Sequence, residues 1–328
     1  MRLIIPAGNV QITAALDIYA PKACCGLGLK PNLRRTTLWN GKRVDIRTDN
    51  DGHRIPVRHD FLEQAGKDRL VFCGDSYTFG NEENARDTFP FLLGKTMDRE
   101  VVNLGVGSYS TFQEVASLRD FVGDHRANSI DQVFLCFFVG NDFTDNLPER
   151  RHVTIDDRGR IRLETGADRE WMRSLVYSSR LLSAVVLRLR RLMLQWEYDV
   201  GHSSPAELYS AYFYTEELLE PTRRALRHFG ELTRAHRLDA VVVLIPDKDQ
   251  VYKPYADEQG RQRPGRVLSG LLSELAIPHV DLLPMFLEVS GEPLFNMTRA
   301  GHLSARGHQI TAEILHEYVR ERDENSSR

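Results

Sequence analysis

The segment Val71-Phe72-Cys73-Gly74-Asp75-Ser76-Tyr77-Thr78-Phe79-Gly80 decides the fold. It begins in an apolar run without polar alternation, which is typical of a strand covered on both faces, as in a parallel sheet. Gly74 permits a sharp turn after the strand. Ser76 would then lie at the carboxyl edge of the sheet, where open α/β sheets bind ligands. Because Gly-Asp-Ser is also an ordinary polar turn, other segments must decide between these interpretations.

Four further runs share this apolar, β-rich character with residues 70–73. They lie at residues 101–104, 133–139, 240–245 and 279–283. Helical patterns lie between the runs and after the last one, at residues 89–97, 111–122, 218–236, 266–275 and 305–320. Alternation of strands and helices predicts right-handed βαβ units. We therefore predict a three-layer α/β/α, flavodoxin-like fold with a central five-stranded parallel sheet.

The flanking and inserted segments set the predicted domain organisation. Residues 1–65 are punctuated by proline and glycine, and we interpret them as an irregular lead-in that could contain a small hairpin, packed on the core. Residues 66–328 form the main domain. An insertion at about 148–217 interrupts the alternation and begins with the hairpin-like piece RHVTIDDRGRIRLE at 151–164.

Composition excludes several classes of protein. The chain has 328 residues and a formal net charge of -3, so it lacks the basic field that collects nucleic-acid phosphates. The N-terminal residues lack the pattern of a signal peptide, and no apolar run is long enough to span a membrane. The cysteines are adjacent (Cys24, Cys25) or within apolar runs (Cys73, Cys136), which argues against a disulfide framework. We therefore expect a cytoplasmic protein.

Chemically useful residues follow the other strands as well. Gly105 and Gly107 follow the second run, and each could serve a turn or let a backbone N–H approach a substrate. Asn141 follows the third run, where it could donate its amide or simply cap a helix. His302 precedes the last helix and could take a proton from Ser76 at neutral pH. In the predicted fold these side chains converge on one sheet edge.

These blocks resemble the SGNH (GDSL) hydrolase superfamily. The resemblance rests on GDSYTFG at 74–80, DTFPFLL at 87–93, VVNLGVGSYSTFQE at 101–114, GNDFTDN at 140–146 and HLSARGH at 302–308. The fuller string is similar to a bacterial branch that includes GDSL esterases and relatives of polysaccharide O-acetyltransferases. It covers about residues 65–320, and the insertion matches only loosely.

The resemblance implies a role for each of these residues. Ser76 would be the nucleophile that forms an acyl-enzyme, and His302 the general base. The oxyanion hole would consist of the Ser76 N–H, the Gly107 N–H and the Asn141 side chain, with Gly105 as the rival glycine. Asp75 would orient the turn. The chemistry requires no metal and no organic cofactor.

One position departs from the family pattern. Members usually carry an aspartate two or three residues before the histidine, to hold the imidazole in the correct tautomer. This chain has Ala300 and Arg299 there, and neither side chain can accept the imidazole N–H. The acid could come from elsewhere, a backbone carbonyl could orient His302 in a Ser–His dyad, or the chain could have lost the acid and be slow.

Further residues are candidates for substrate binding. They are Asp75, Gly105, Asp142, Lys248 and Tyr252. The family branch often has a lysine and a tyrosine after the fourth strand, where this chain has IPDKDQVY at 245–252. The alternative for Lys248 is an ordinary surface lysine in a loop.

The insertion contains a predicted amphipathic helix. Its apolar residues recur at three-to-four spacing: Leu182, Val185, Val186, Leu189, Leu192, Met193 and Trp196. This stripe could pack on the core. It could instead form a lid that contacts an acyl chain or a partner subunit, giving a homodimer through the 175–196 helix. Membrane-surface binding is a third, less favoured interpretation.

The leading hypothesis is ester hydrolysis or acyl transfer on a small-molecule, sugar or acyl-carrier-linked substrate. The alternative is a catalytically weak domain of the same fold that binds an acylated sugar or natural product. A flavodoxin-like nucleotide or flavin binder is disfavoured, because the first turn holds Asp75 rather than a phosphate-cradling glycine loop.

Overall fold

The computed structural model describes most of the chain. The described residues are 18–39, 42–57, 68–123, 130–147, 153–155, 161–163, 213–253, 258–297 and 301–326. The predicted helix at 175–196 and the departure at Arg299 and Ala300 lie outside these residues.

An eight-stranded sheet runs through the described part of the chain. Its spatial order is His279–Asp281 (β12), Ala240–Ile245 (β11), Ile130–Phe138 (β8), Arg69–Gly74 (β6), Glu100–Asn103 (β7), Arg54–Ile55 (β5), Lys42–Thr48 (β4) and Arg34–Trp39 (β3). The first five strands are parallel and the last three antiparallel. Tyr19–Ala20 (β1) and Gly28–Leu29 (β2) form a separate antiparallel pair.

The α/β fold class with a mainly parallel sheet is confirmed, and three antiparallel strands extend the sheet beyond the predicted five parallel ones. The expected irregular lead-in instead supplies β3, β4 and β5. In β4, Val44 and Ile46 are buried while their neighbours are partly or fully exposed. This alternation is typical of a strand covered on one face. Because polar residues alternate with apolar ones here, the segment lacks the continuous apolar run that marks the central strands.

Helices cover both faces of the parallel strands. They are Ser76–Phe79 (α1), Phe89–Met97 (α2), Thr111–Phe121 (α3), Asp142–Asp145 (α4), Glu216–Ala235 (α5), Lys248–Tyr252 (α6), Glu258–Glu274 (α7), Leu283–Glu288 (α8) and Ala305–Ser326 (α9). Side chains of α3, α5 and α7 pack in one core cluster, and those of α2, α8 and α9 in another. Within β6, Val71 and Cys73 belong to the first cluster, and Leu70 and Phe72 to the second. The three-layer arrangement follows from this period of two.

Most helices and strands begin and end near the predicted residues, but α7 begins eight residues before its predicted start at residue 266. The added turns are polar and contain Pro264, so they carry no apolar stripe to indicate a helix. The predicted hairpin at the start of the insertion forms between Val153–Ile155 (β9) and Ile161–Leu163 (β10).

The cysteines behave in two ways. Cys73 and Cys136 are free and buried in β6 and β8, as expected for thiols in apolar strands. Cys24 and Cys25 are joined in a disulfide, which the sequence pattern did not predict. Because a bridge between neighbouring residues encloses almost no chain, it does little to restrict the unfolded state.

Among the described residues, no helix combines the length and the apolar character needed to cross a membrane.

Candidate active site

The turn between β6 and α1 positions Ser76. A Cβ on Gly74 would collide with the Thr78 hydroxyl and lie 3.1 Å from the Cys136 carbonyl oxygen, so the close approach requires glycine. Asp75 caps the helix by accepting the Tyr77 N–H at 2.8 Å. Ser76 is thereby held at the first helical position, beyond the carboxyl end of a central strand.

His302 reaches this serine from the opposite end of the chain. Its Nε2 lies 3.0 Å from Ser76 Oγ, within hydrogen-bond distance. The main chain fixes the loop, because the Asn296 N–H donates to the His302 carbonyl at 2.8 Å. Tyr77 adds a direct tie to α1, since its hydroxyl donates to the Gly301 carbonyl at 3.0 Å. The structure therefore pairs two groups that are 226 residues apart in sequence.

The two candidate oxyanion glycines differ in their surroundings. The Gly105 N–H donates to Asn103 Oδ1 at 2.9 Å and is already used inside the turn. Gly107 lies beside the nucleophile, because a Cβ on it would be 3.9 Å from Ser76 Cβ. The same Cβ would be 2.7 Å from the Tyr19 hydroxyl, so a side chain there would crowd the site. The geometry favours Gly107 over Gly105 as the glycine that faces a substrate.

Asn141 also lies at the site, but its amide is engaged. Its Nδ2 donates to Asp75 Oδ2 at 3.2 Å and to Asp145 Oδ2 at 3.0 Å. Asp75 Oδ2 is in turn 3.5 Å from Ser76 Oγ. In this state the two amide hydrogens are directed at carboxylates, so donation to a substrate oxygen requires Asn141 to exchange one of these partners.

Buried carboxylates surround this network. Burial raises the pKa of Asp75. Burial, with added repulsion from neighbouring carboxylates, raises the pKa of Asp142 and of Glu114 well above the ordinary values. Asp142 is fully buried, and its carboxylate accepts the Phe138 N–H at 2.8 Å. The structure thus places Asp142 in the interior, where it fixes the end of β8, rather than on a surface that a substrate can touch.

The candidate lysine and tyrosine after β11 have separate roles. A Cβ on Gly301, next to His302, would be 3.0 Å from Lys248 Nζ, so the lysine lies against the histidine loop. The Tyr252 hydroxyl instead donates to the Glu292 carbonyl at 2.8 Å and accepts the Leu294 N–H at 2.6 Å. The structure therefore brings Lys248 to the site and uses the Tyr252 hydroxyl to bind the main chain.

One residue near His302 was missed by the sequence analysis. Glu82 lies in the loop after α1, and its Oε1 is 3.6 Å from His302 Nδ1, the ring nitrogen that faces away from Ser76. Both side chains are buried. The available signal was the Glu-Glu pair directly after the GDSYTFG block, but it could not show which loop the carboxylates face.

A single cluster of ligand-type side chains occurs among the described residues, and it lies outside this site. Asp49, Asp51 and His53 place one ligand atom each within 4.8 Å of one another. Asp49 Oδ1 accepts the N–H groups of Asp51 at 2.9 Å and of His53 at 2.8 Å, so this is a hydrogen-bonded turn. We assign no metal to it.

A second histidine, His308, is buried beneath the site. Its Nδ1 accepts the Phe89 N–H at 3.2 Å, and its ring stacks on Phe89. Burial, with further repulsion from Arg54, His302 and Lys42, lowers the pKa of His308 to about 3. The folded protein therefore holds this imidazole neutral, whereas in the unfolded chain it would take up a proton near pH 6.5.

His308 makes stability depend on pH. Its contribution is complete above about pH 6.5 and is lost as the pH falls toward about 3, since only the unfolded chain binds the proton in this window. When the pH is lowered from 7.5 to 5.0, we expect His308 to reduce the free energy of unfolding by roughly 2 kcal/mol. Urea titrations of the wild type and of His308→Gln at both pH values should show that the variant lacks this loss. His316→Gln, on the same helix but partly exposed, should retain it. Equal pH dependence in the wild type and His308→Gln would contradict the assignment.

The fold and site define a Ser–His pair at the carboxyl edge of a mainly parallel α/β/α sheet. Searches with family models and against curated proteins give no match. Several solved structures are similar over most of their length. They include a lipolytic protein of the G-D-S-L family from Veillonella parvula DSM 2008 (12% identity, 75% of this chain and 94% of that chain, TM-score 0.41), a lipase/acylhydrolase from Enterococcus faecalis (14%, 78% and 96%, 0.42), and a variant of an acetyl xylan esterase from Geobacillus stearothermophilus (17%, 75% and 91%, 0.39). At these identities the roles of the residues are assigned from their own geometry.

Proposed function

We propose that the chain is a serine-dependent esterase or acyl-transfer enzyme that works through an acyl-Ser76 intermediate. The observation that carries the proposal is the 3.0 Å separation between Ser76 Oγ and His302 Nε2. A hydroxyl within hydrogen-bond reach of a buried imidazole, at the start of a helix, is the arrangement that activates serine as a nucleophile.

The first half-reaction transfers the acyl group to the enzyme. Ser76 Oγ attacks the ester carbonyl carbon, and its proton passes to His302 Nε2. The carbonyl electron pair moves to oxygen and forms a tetrahedral oxyanion. When the oxyanion collapses, the bond from carbon to the alcohol oxygen breaks, and the protonated His302 gives its proton to that oxygen. The products are acyl-Ser76 and a neutral alcohol.

The second half-reaction releases the acyl group. Water, or the hydroxyl of an acceptor, loses its proton to His302 Nε2 and attacks the acyl carbon. Collapse of the second oxyanion breaks the bond to Ser76 Oγ, which recovers the proton from His302. With water the product is a carboxylic acid, and with an acceptor hydroxyl it is a new ester.

Backbone donors at the turn support the charge that develops on the carbonyl oxygen. The N–H of Ser76 is at the start of α1, and the glycine beside it is Gly107. We assign these two N–H groups as oxyanion donors, with Asn141 as a third donor once its amide leaves a carboxylate partner. Such donors contribute about 3–4 kcal/mol each to transition-state stabilisation in comparable enzymes.

The substrate remains a proposal at the level of chemical class. Small-molecule, sugar-linked and acyl-carrier-linked esters all fit the chemistry of Ser76 and His302. Tyr19, whose hydroxyl lies near Gly107, and Lys248, beside Gly301, are the polar side chains that we assign to the walls of the site. A cytoplasmic location stays a prediction from the sequence.

Covalent labelling tests the proposal. The purified chain is treated with a fluorophosphonate probe, which is expected to add to one residue because only an activated serine attacks phosphorus readily. Intact-mass analysis and peptide mapping should find one adduct, on Ser76. Ser76→Ala should give no adduct, and the unfolded wild type in urea should give none either.

Absence of labelling in the folded wild type at any probe concentration would refute the proposed activity. That outcome would favour the alternative, a domain of this fold that binds an acylated sugar or natural product without turning it over. Labelling at a serine other than Ser76 would refute the assignment of the nucleophile.

A further inference from the structure

The surroundings of His302 Nδ1, the ring nitrogen that faces away from Ser76, bear on the aspartate that is missing before this histidine. His302 Nδ1 is buried and makes no hydrogen bond with any residue that the structure describes. Glu82 Oε1 lies 3.6 Å from it, and the exposed fractions of the two side chains are only 11% for His302 and 8% for Glu82. This distance is slightly longer than a hydrogen bond, as is common for catalytic pairs before substrate binds.

The neighbours of the other ring nitrogen, Nε2, determine which of the two nitrogens carries the hydrogen. Nε2 lies 3.0 Å from Ser76 Oγ and 3.5 Å from Asn81 Nδ2. An amide nitrogen can only donate, and the serine must give its proton to Nε2, so both neighbours require Nε2 to be the unprotonated nitrogen. The N–H is then on Nδ1. A buried N–H needs an acceptor, and the carboxylate of Glu82 is placed to provide it.

The loop that carries Glu82 is held in an unusual conformation. Glu82 has a φ of 71°, in the left-handed region that glutamate rarely adopts. Unfavourable backbone of this kind persists where the surroundings enforce it, and such positions cluster at functional sites. Here the guanidinium of Arg54 donates to the carbonyls of Gly80, at 2.7 Å, and of Glu83. The loop is therefore fixed on both sides of Glu82.

We infer that Glu82 is the positioning residue for His302, in place of the acid that is missing before the histidine. This inference rests on the proposed function. Glu82 accepts the Nδ1–H, which keeps Nε2 free to take the serine proton, and its negative charge favours the imidazolium that forms in each half-reaction. In this role Glu82 acts only as a hydrogen-bond acceptor, and no proton passes to it.

Other charged groups near His302 act from different directions. Asp75 interacts with His302 through charge, but its two oxygens are bound to the Tyr77 N–H and the Asn141 amide on the serine side. His308 is buried against Phe89 and is neutral. Among the described residues, Glu82 is the carboxylate within 4 Å of a His302 ring nitrogen.

Substitution of Glu82 by glutamine tests the inference. We expect kcat for p-nitrophenyl acetate to fall about 10²- to 10⁴-fold with little change in KM, because an amide can hold the imidazole in the wrong tautomer. The acidic limb of the pH–rate profile should move to lower pH, since the imidazolium loses its neighbouring negative charge. Glu82→Asp, which retains the charge on a shorter side chain, should recover part of the rate and the position of the limb.

Glu83→Gln is the matched control. It removes a buried carboxylate from the same loop, where Glu83 pairs with Lys42, and should change the rate less than about threefold. Thermal unfolding of each variant shows whether it is folded. A rate within threefold of the wild type and an unmoved pH profile in folded Glu82→Gln would overturn the inference.

A readout without turnover separates this inference from the proposed function. Nitrogen NMR of ¹⁵N-histidine-labelled protein should show the Nδ1–H form of His302 in the wild type and a loss of this form in Glu82→Gln. If the wild type lacks both esterase activity and probe labelling but shows this change, the proposed function fails and Glu82 still positions His302. If the wild type labels and the His302 signals are the same in both proteins, Glu82 is not the positioning residue.

Discussion

Replacement of Ser76 by alanine is expected to lower kcat/KM for p-nitrophenyl acetate by about 10⁴- to 10⁶-fold, and His302→Ala should lower it by a similar factor. The double variant should be no slower than either single variant. The reason is that in the proposed mechanism Ser76 and His302 act as a unit: without the base the serine is not activated, and without the serine the base has no proton to accept. Activity that remains would come from substrate binding and the oxyanion donors.

Steady-state kinetics of the two single variants and the double variant measures this non-additivity. The free energy of unfolding of each variant shows that the fold is intact, and His316→Ala, at a partly exposed histidine of α9, serves as the control with wild-type activity. Multiplying losses, with the double variant far below both single variants, would show that Ser76 and His302 act independently. That result would contradict the proposed mechanism, which rests on the 3.0 Å separation between the two groups.

The sequence predicted the central part of the fold because local patterns carry it. The central parallel strands β6, β8 and β11 carry buried apolar residues on both faces, and β6 shows four of them in a row, Leu70 to Cys73. This signal does not depend on which strands are neighbours. The lead-in strands carry a weaker signal, since β3 and β4 are partly exposed. Their place at the edge of the sheet is a tertiary property that composition cannot show.

The same distinction applies to the site. Ser76 and His302 are in short blocks whose spacing from strand ends and helix starts is visible in the sequence, and the structure places them together. Glu82 is different, because its contact with His302 joins the loop after α1 to the loop before α9. Nothing local in the sequence distinguishes Glu82 from Glu83, its neighbour, which faces Lys42 instead.

For Asn141, the sequence motif predicts the position of the side chain but not its hydrogen-bond partners. Its position after β8 is as predicted, yet its amide is bound to Asp75 and Asp145. A linear motif specifies that an amide is present at the sheet edge, but the partners of that amide depend on the surrounding carboxylates. The protonation of the buried acids therefore bears on whether Asn141 can reach a substrate.

Arg54 connects the lead-in strands to the loop after α1, which carries Glu82, and its removal is the structural change with the largest expected effect. It is fully buried in β5, its guanidinium donates to the carbonyls of Phe79, Gly80 and Glu83, and it lies 4.3 Å from the centre of the Phe79 ring. Burial lowers its pKa to about 9, which still leaves it charged at pH 7. A single side chain thus satisfies three carbonyls around the loop that carries Glu82.

Arg54→Met should destabilise the protein by about 3–5 kcal/mol, because all three carbonyls lose the guanidinium as donor and, among the described residues, only the Gly80 carbonyl keeps another, the Glu83 N–H at 3.3 Å. Activity should fall as well, measured well below the unfolding temperature, since the loop that holds Glu82 against His302 loses its support. Arg54→Lys, which has a single ammonium in place of the guanidinium, should lie between the wild type and Arg54→Met in both stability and activity. Arg43→Met, at an exposed position of β4, should stay within about 0.5 kcal/mol of the wild type. Urea unfolding of Arg54→Met that matches the wild type would show that Arg54 does not secure this loop. If Arg54→Met does not fold, the test relies on Arg54→Lys alone. Wild-type stability and activity of Arg54→Lys would then show that Arg54 does not secure this loop.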